Sequence, residues 1–274
     1  MTESLTYQGG GGIRLHAAVT GPEGAPPFLF VHGLMMSHLV WRTQFDSPLA
    51  KTYRLVAHDL RGHGMSEKPA GFDAYRDSRL WAEDIAAAVA ACGRPPVVVV
   101  WSYGGLVLGN YLHHFGDARL AGLVLCCAIM GQGQSGPPPG PDTPLPFLSE
   151  DIGTALPALM GFAGALTAAD LDRRAFALLT AQAAIAPAHA RRGCLMRKED
   201  VKPDYARVTK PALVIYGEAD ALVKRAEADD AMATMPHATL SLYPEAGHMP
   251  FFENPERFNG ELASFAKTAF GAAV

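Results

Sequence analysis

Cysteine is scarce in this chain: 274 residues hold four, Cys92, Cys126, Cys127 and Cys194. None of them shows the paired spacing of a structural zinc site, so no metal is expected. Reduced thiols in a core are the expectation, with Cys126 and Cys127 inside an apparent buried strand. An excess of positive charge is lacking too, with 23 Lys and Arg against 27 Asp and Glu and a formal net charge of −4. That balance offers no footprint for nucleic acid or an anionic membrane. No apolar run reaches membrane-spanning length, and the opening MTESLTYQGGGG has neither a positively charged start nor an apolar segment. These absences predict a cytoplasmic protein whose partner is a small molecule, with no nucleic acid and no membrane involved, and they leave the oligomeric state unknown.

What the chain does contain is alternation. Short apolar runs at Phe28–His32, Arg54–His58, Val97–Trp101, Leu123–Ala128, Ala212–Tyr216 and Thr239–Tyr243 are separated by helical patterns, the signature of an α/β fold with a doubly wound, mostly parallel sheet. Ser78–Cys92 places Leu80, Trp81, Ile85 and Val89 at helical spacing opposite Glu83 and Asp84. Asn254-Pro255-Glu256 caps a last helix that runs through Phe258, Leu262, Phe265 and Phe270. Gly9–Gly12 reads as a hairpin turn. The alternation stops after Ala128. Gly131–Gly140 (GQGQSGPPPG) is a stiff, Pro-rich connection, and Ser149 to Arg192 is helical only, with Thr167-Ala-Ala-Asp170 as a plausible cap. The expected organisation is a sheet domain at 1–129 and 206–274, interrupted by a helical cap at 130–205.

Chemistry gathers where strands end. Ser102 sits between Val97-Val-Val-Val-Trp101 and Gly104-Gly105, so the chain must reverse sharply there before a helix from Leu106 to His114. Three further stretches follow apolar runs in the same way: Phe30-Val-His-Gly-Leu34, Gly217-Glu-Ala-Asp220 and Glu245-Ala-Gly-His248. In open α/β sheets ligands bind at that carboxyl edge. The chain order Ser, Asp, His is that of a hydrolase triad.

With HGLMMSHLVW (32–41), HDLRGHGMSEKP (58–69), WSYGG (101–105), YGEAD (216–220) and AGHMPFFENPERFN (246–259), the sequence resembles the α/β-hydrolase family. Within it, the resemblance is to the capped serine esterase and cofactor-free haloperoxidase-like branch. The resemblance implies an α/β-hydrolase fold with an inserted helical cap and no cofactor. Ser102 would then be the nucleophile and His248 the base that takes its proton. Asp220 would hold the imidazole in the right tautomer, and Ser102 Oγ would lie about 2.6 to 3.2 Å from the ring. The backbone N–H groups of Leu34 and Tyr103 would form the oxyanion hole. His32 and the segment 59–69 would be supporting turns. Met35, Met36, Met160 and Phe162 are candidates for lining an acyl pocket.

The function expected is a serine hydrolase that cleaves a carboxylic ester or related acyl compound, neutral in charge and apolar, through an acyl-enzyme. Hydrolysis of a lactone or a carbon–carbon bond, perhydrolysis, and a non-catalytic small-ligand receptor are the alternatives on this fold. Other features have plain readings. Gly131-Gln-Gly-Gln-Ser-Gly136 matches a dinucleotide fingerprint, but Pro137-Pro-Pro139 follows where a helix is needed. His113 and His114 point about 100° apart on a helix, a poor metal pair. Arg191, Arg192 and Arg197 read as a solvated basic face, with carboxylate recognition as the alternative. Val100 crowds the turn at Ser102, and Gly104 and Gly105 are where that volume can be absorbed.

Overall fold

The apolar runs become neighbouring strands of one sheet in a computed structural model that describes residues 2–131 and 145–271. Its strands are β1 (Glu3–Gln8), β2 (Arg14–Thr20), β3 (Pro27–Val31), β4 (Arg54–Asp59), β5 (Val97–Trp101), β6 (Gly122–Cys126), β7 (Ala212–Gly217) and β8 (Thr239–Tyr243). They lie in the order β1-β2-β4-β3-β5-β6-β7-β8. β2 pairs antiparallel with β1 and β4, and every other pairing is parallel. β5 is buried along its whole length because both sheet faces are covered by helices, which is why a run of four valines suits it.

Helices of eight or more residues among the described residues are α1 (Ser78–Ala91), α2 (Gly104–Phe115), α3 (Ile152–Gly164), α4 (Arg173–Ile185), α5 (Ala188–Leu195), α6 (Arg225–Thr234) and α7 (Pro255–Phe270). Pro255 opens α7 and the Asn254 side chain accepts the Arg257 amide at 3.3 Å, the cap that the sequence announces. Between β6 and β7 the described residues form α3, α4, α5 and a short helix at Lys202–Tyr205, with no strand. Residues 132–144 lie outside the described part, so the Pro-rich connection and the fingerprint-like glycines beyond Gly131 fall there. No helix among the described residues is long and apolar enough to cross a membrane.

Several local expectations are corrected. The glycines at 9–12 do turn a hairpin, but the strands on either side, paired in register from Glu3↔Val19 to Gln8↔Arg14, went unread because β1 is polar and largely exposed. The cap at the start of α4 is Asp172, which accepts the Arg174 and Ala175 amides at 2.8 Å, and not the Thr167–Asp170 stretch. β6 stops at Cys126, so Cys127 leaves the strand. His113 turns to Asp204 at 3.1 Å while the His114 ring stands edge-on to it.

Asp84 is the largest departure. It lies on the buried side of α1, where its carboxylate holds the Arg61 guanidinium at 2.7 and 2.9 Å and accepts the Gly10 amide at 2.8 Å. Arg61 also donates to the carbonyls of Gly10, Leu80 and Ala74. One buried pair thus ties the hairpin turn, the segment after β4 and α1 together. Removing one member leaves a buried charge without its counter-charge, which costs about 3–5 kcal/mol. Asp84→Ala should therefore lower the urea midpoint, and the unfolding free energy extrapolated from it by an amount of that order, with Asp84→Asn losing less. A midpoint unchanged in Asp84→Ala would show that the pair does not hold these segments.

Candidate active site

The reversal at Ser102 is local and steep. Ser102 has φ 55°, a left-handed backbone between the extended Trp101 and the helix that begins at Gly104. Its amide donates to Cys126 at 3.1 Å, keeping the β5–β6 ladder intact, and its carbonyl accepts from Gly105 and Ile129. A Cβ at Gly105 would overlap the Ile129 carbonyl oxygen, so only glycine lets α2 start this close to the loop leaving β6. Gly104 makes the room that Val100 needs, since a Cβ there would meet the Val100 Cβ at 3.3 Å.

The loop after β3 passes directly over Ser102, because a Cβ on Gly33 would sit 3.0 Å from the Ser102 Cβ. His32 holds the loop: its Nδ1 donates to the Gly33 carbonyl at 2.7 Å and its Nε2 accepts the Leu60 amide at 3.0 Å. That arrangement requires a neutral ring, and burial pushes the His32 pKa down to about 3. The amides of Leu34 and Tyr103 donate to no protein acceptor among the described residues. Met35 has φ 62°, and Met35 and Met36 are buried.

Behind this loop lies Asp59. Its carboxylate accepts from the His38 amide at 2.7 Å, the Met65 amide at 2.9 Å and the rings of His16 and His38. Burial alone would raise its pKa, but those imidazole hydrogen bonds and the nearby histidine charges hold it well below the usual carboxylate range. The segment 59–69 is thus a supporting structure, as the resemblance implies.

His248 and Asp220 come together across the ends of β7 and β8. Asp220 Oδ2 lies 2.7 Å from His248 Nδ1, while Oδ1 accepts the Leu222 and Val223 amides at 2.8 and 2.9 Å. Glu218, two residues earlier, points to Arg225 instead. The two loops touch at Gly217, where a Cβ would overlap the Gly247 carbonyl oxygen. Trp101, next to Ser102, donates its indole N–H to the His248 carbonyl at 2.7 Å, and the two rings lie 5.2 Å apart. Burial favours the neutral imidazole, but the hydrogen bonds to Asp220 and Cys127 and the Asp220 charge outweigh it and push the His248 pKa up to about 9.

The expected Ser102–His248 hydrogen bond is not formed in this structure. The ring is engaged by Asp220 and the Cys127 thiol. Such bonds often tighten only around a substrate.

The helical segment between β6 and β7 touches all three site loops. Gln182 Oε1 accepts from the amide and hydroxyl of Ser37, beside the loop after β3, at 3.2 and 2.7 Å. The Cys194 carbonyl accepts from the Tyr103 hydroxyl at 3.4 Å. Glu253 bridges the amides of Gly247 and Ala168 at 2.8 and 2.7 Å. On α3 the buried stripe is Ala155, Leu159 and Ala163, whereas Met160 shares an exposed stripe with Ile152 and Leu156, and Phe162 is half-buried.

The basic face expected at 191–197 is overturned for two of its three arginines, since Arg191 and Arg197 are buried. Arg197 finds its compensation in Glu199, Asn110 and the Tyr103 hydroxyl, with its guanidinium 4.9 Å from the Trp81 ring centre. Glu199 is two residues away, whereas no spacing in the sequence signals the other partners, which come from α1, α2 and the turn before α2.

Comparison with known proteins agrees with this geometry. A sequence model of the alpha/beta hydrolase family matches residues 28–261. A non-heme chloroperoxidase of Streptomyces lividans is 27% identical over 273 residues, covering 90% of this chain and 94% of that protein. A pimeloyl-[acyl-carrier protein] methyl ester esterase of Nitrosomonas europaea is 26% identical, covering 89% and 96%. Among solved structures, a candidate aryl esterase from Burkholderia cenocepacia superposes with a TM-score of 0.91 at 34% identity over 98% of this chain and 99% of that one. The chain therefore belongs to the α/β-hydrolase family.

Proposed function

We propose that the protein is a serine hydrolase that cleaves a carboxylic ester or related acyl compound through an acyl-enzyme. The observation that carries this reading is convergence on one sheet edge: Ser102 at φ 55°, two amides without protein acceptors beside it, and the 2.7 Å Asp220–His248 pair. In this reading His248 takes the proton of Ser102 as its oxygen attacks the acyl carbon, and returns it to the leaving alcohol. Asp220 keeps the ring's proton on Nδ1 and stabilises the imidazolium. The Leu34 and Tyr103 amides receive the oxyanion, each worth about 3–4 kcal/mol in the transition state. Water then repeats the sequence on the acyl-enzyme.

The helices between β6 and β7 act as the cap, a role supported by their contacts with all three site loops. A cleft of about 270 Å³ between α4 and the segments at 39–43 and 249–252 has Leu39, Val40, Leu178, Leu179, Met249 and Phe252 in its walls together with the charged Arg42, Asp172 and Arg174. The apolar part of that lining is what supports a neutral, apolar acyl group. Met35, Met36, Met160 and Phe162 are proposed for the acyl pocket as well, although none of them lines this cleft and Met160 is 40% exposed. The esterase names carried by two of the relatives point to the same substrate class.

Three outcomes test this. An organophosphonate should label Ser102, and Ser102→Ala should lose both the label and about 10³- to 10⁶-fold in kcat; full activity in that variant ends the mechanism. The neutral ring is the base, so kcat/KM on a neutral ester should rise with pH through an ionisation near 9. Asp220→Asn should move that ionisation to lower pH, because a stabilising negative charge is gone, and cut kcat by about 10³- to 10⁴-fold. A profile unmoved by Asp220→Asn would remove Asp220 from its role. Phe162→Ala with Met160→Ala should change the preference between acetyl and longer acyl esters more than the rate on acetate. An unchanged chain-length profile would take both residues out of the pocket.

A further inference from the structure

No bond-making step of the proposed ester chemistry uses Cys127, yet the fold goes to some cost to place it. Its φ of 43° puts a side chain in the left-handed region that residues other than glycine seldom adopt. The amide stays in the ladder, donating to Ile215 at 2.9 Å, so the strain serves to turn the side chain toward the β8 loop, where the sulfur lies 3.9 Å from the Gly247 carbonyl. There the thiol touches the His248 ring. One donor atom from each of Cys127, Asp220 and His248 lies within 4.8 Å of the other two, and all three side chains are buried.

We propose that Cys127, Asp220 and His248 form a binding site for a thiophilic divalent cation of the Zn²⁺ class, and that the bound ion inhibits the enzyme. Sulfur, imidazole nitrogen and carboxylate oxygen are the three donor types that zinc accepts, and three protein ligands leave one position open. The thiolate selects zinc or cobalt over magnesium and calcium. On a tetrahedral ion with bonds of about 2.0 to 2.3 Å, ligand atoms stand roughly 3.3 to 3.8 Å apart. The Asp220–His248 contact has to open from 2.7 Å and the wider separations have to close by about an ångström.

The charges also balance. Zn–S, Zn–N and Zn–O bonds form as the thiol proton and the second imidazolium proton leave to solvent. A thiolate, a carboxylate and a neutral ring then enclose a dication, so the buried assembly is neutral. A ligated His248 has left its hydrogen bond with Asp220 and cannot take the Ser102 proton, which is how binding inhibits. The inhibitory step rests on the reading of His248 as the base; the binding step does not.

A second mixed cluster, His16, His38 and Asp59, has three donors as well. Both oxygens of its carboxylate already accept backbone amides, and it contains no sulfur. That difference makes the test specific. Chelator-stripped full-length protein titrated with Co²⁺ should develop a thiolate-to-cobalt charge-transfer absorption saturating at one ion per chain. The band should persist in His38→Gln and vanish in Cys127→Ala. Cys127→Gly, which suits the left-handed backbone, provides the same comparison if the alanine variant folds poorly. Zn²⁺ should inhibit ester hydrolysis by the unmodified protein, with activity restored by EDTA. In either Cys127 variant the inhibitory Zn²⁺ concentration should rise by about tenfold or more, since even losing an outer partner of a metal ligand costs that much affinity.

No charge-transfer band, or a band that survives the loss of Cys127, overturns the site whatever the activity shows. A band without inhibition of an active enzyme overturns the inhibitory role and shows that His248 is not the base, leaving the binding site standing. A protein that lacks the band while Ser102 still reacts with phosphonate leaves the esterase reading intact and the metal proposal refuted.

Discussion

The left-handed backbone at Ser102 is the constraint on which the rest of the site depends. A helix that starts two residues after Ser102, straight from a fully buried parallel strand, is reached here through one sharply reversed residue, and the close contacts around the turn follow from that reversal. Gly105 must press against the Ile129 carbonyl, and Gly33 must pass within 3.0 Å, measured from a notional Cβ, of Ser102. Strain of about 1–3 kcal/mol at such a residue persists only where its surroundings over-determine it. Here the Ser102 amide and carbonyl are both bonded, to Cys126 on one side and to Gly105 and Ile129 on the other. The hydroxyl is presented at the strand edge because the backbone has no other way to continue.

Buried polar groups hold the loops that the reversal leaves room for. Asp59 anchors the loop after β3 through the His38 amide and ring, and Arg61 with Asp84 anchors the next segment against α1. Arg197 fastens the end of the helical segment to Tyr103, the residue whose amide faces the site. Each of these charges is taken out of water only because its donors or acceptors are nearly all satisfied, and one unpaired member would cost more than the pair contributes. The helical segment is tied in the same way, through Gln182 to Ser37 and through Glu253 to Gly247. A displacement of the segment would therefore be felt in the loops carrying Gly33, Tyr103 and His248.

The sequence made some of this legible and hid the rest for definite reasons. The placement of Ser102, Asp220 and His248 at one sheet edge could be read because each follows an apolar run by a few positions, a local pattern that a parallel sheet turns into a shared edge. β1 and β2 could not, because β1 is an exposed antiparallel edge strand that needs no apolar run, and β2, though buried, mixes Arg14, His16 and Thr20 with small residues, so only the turn between them shows. Asp84 reads as part of a solvent face because helical periodicity reports which residues are apolar and cannot report a partner 23 positions away, as Arg61 is. The same blindness to distant partners hides the burial of Arg197, which has Glu199 two residues away but is otherwise enclosed by groups from two helices and a turn. Cys127 was hidden differently: in LVLCCA both cysteines suit a buried strand, and nothing in the residue types shows that the strand ends between them.

His248 shows how these layers meet in one side chain. Burial pulls its ring toward the neutral form that the proposed base needs, and Asp220 pulls it toward the charged form that the proposed transition state needs, with the balance near 9. Both influences are set by the fold: the first by Trp101 and the packing around it, the second by the two amides that fix Asp220 Oδ1 and so aim Oδ2. A ring held at a pKa above its value of about 6.5 in an unfolded chain contributes stability that is fully present below that pH and is lost as pH rises through the folded value. Deprotonation, which makes His248 a base, therefore removes part of what holds the loop in place. The Trp101 indole N–H remains bonded to the His248 carbonyl at 2.7 Å whatever the ring's charge. The backbone can thus stay registered with Ser102 while the imidazole changes state.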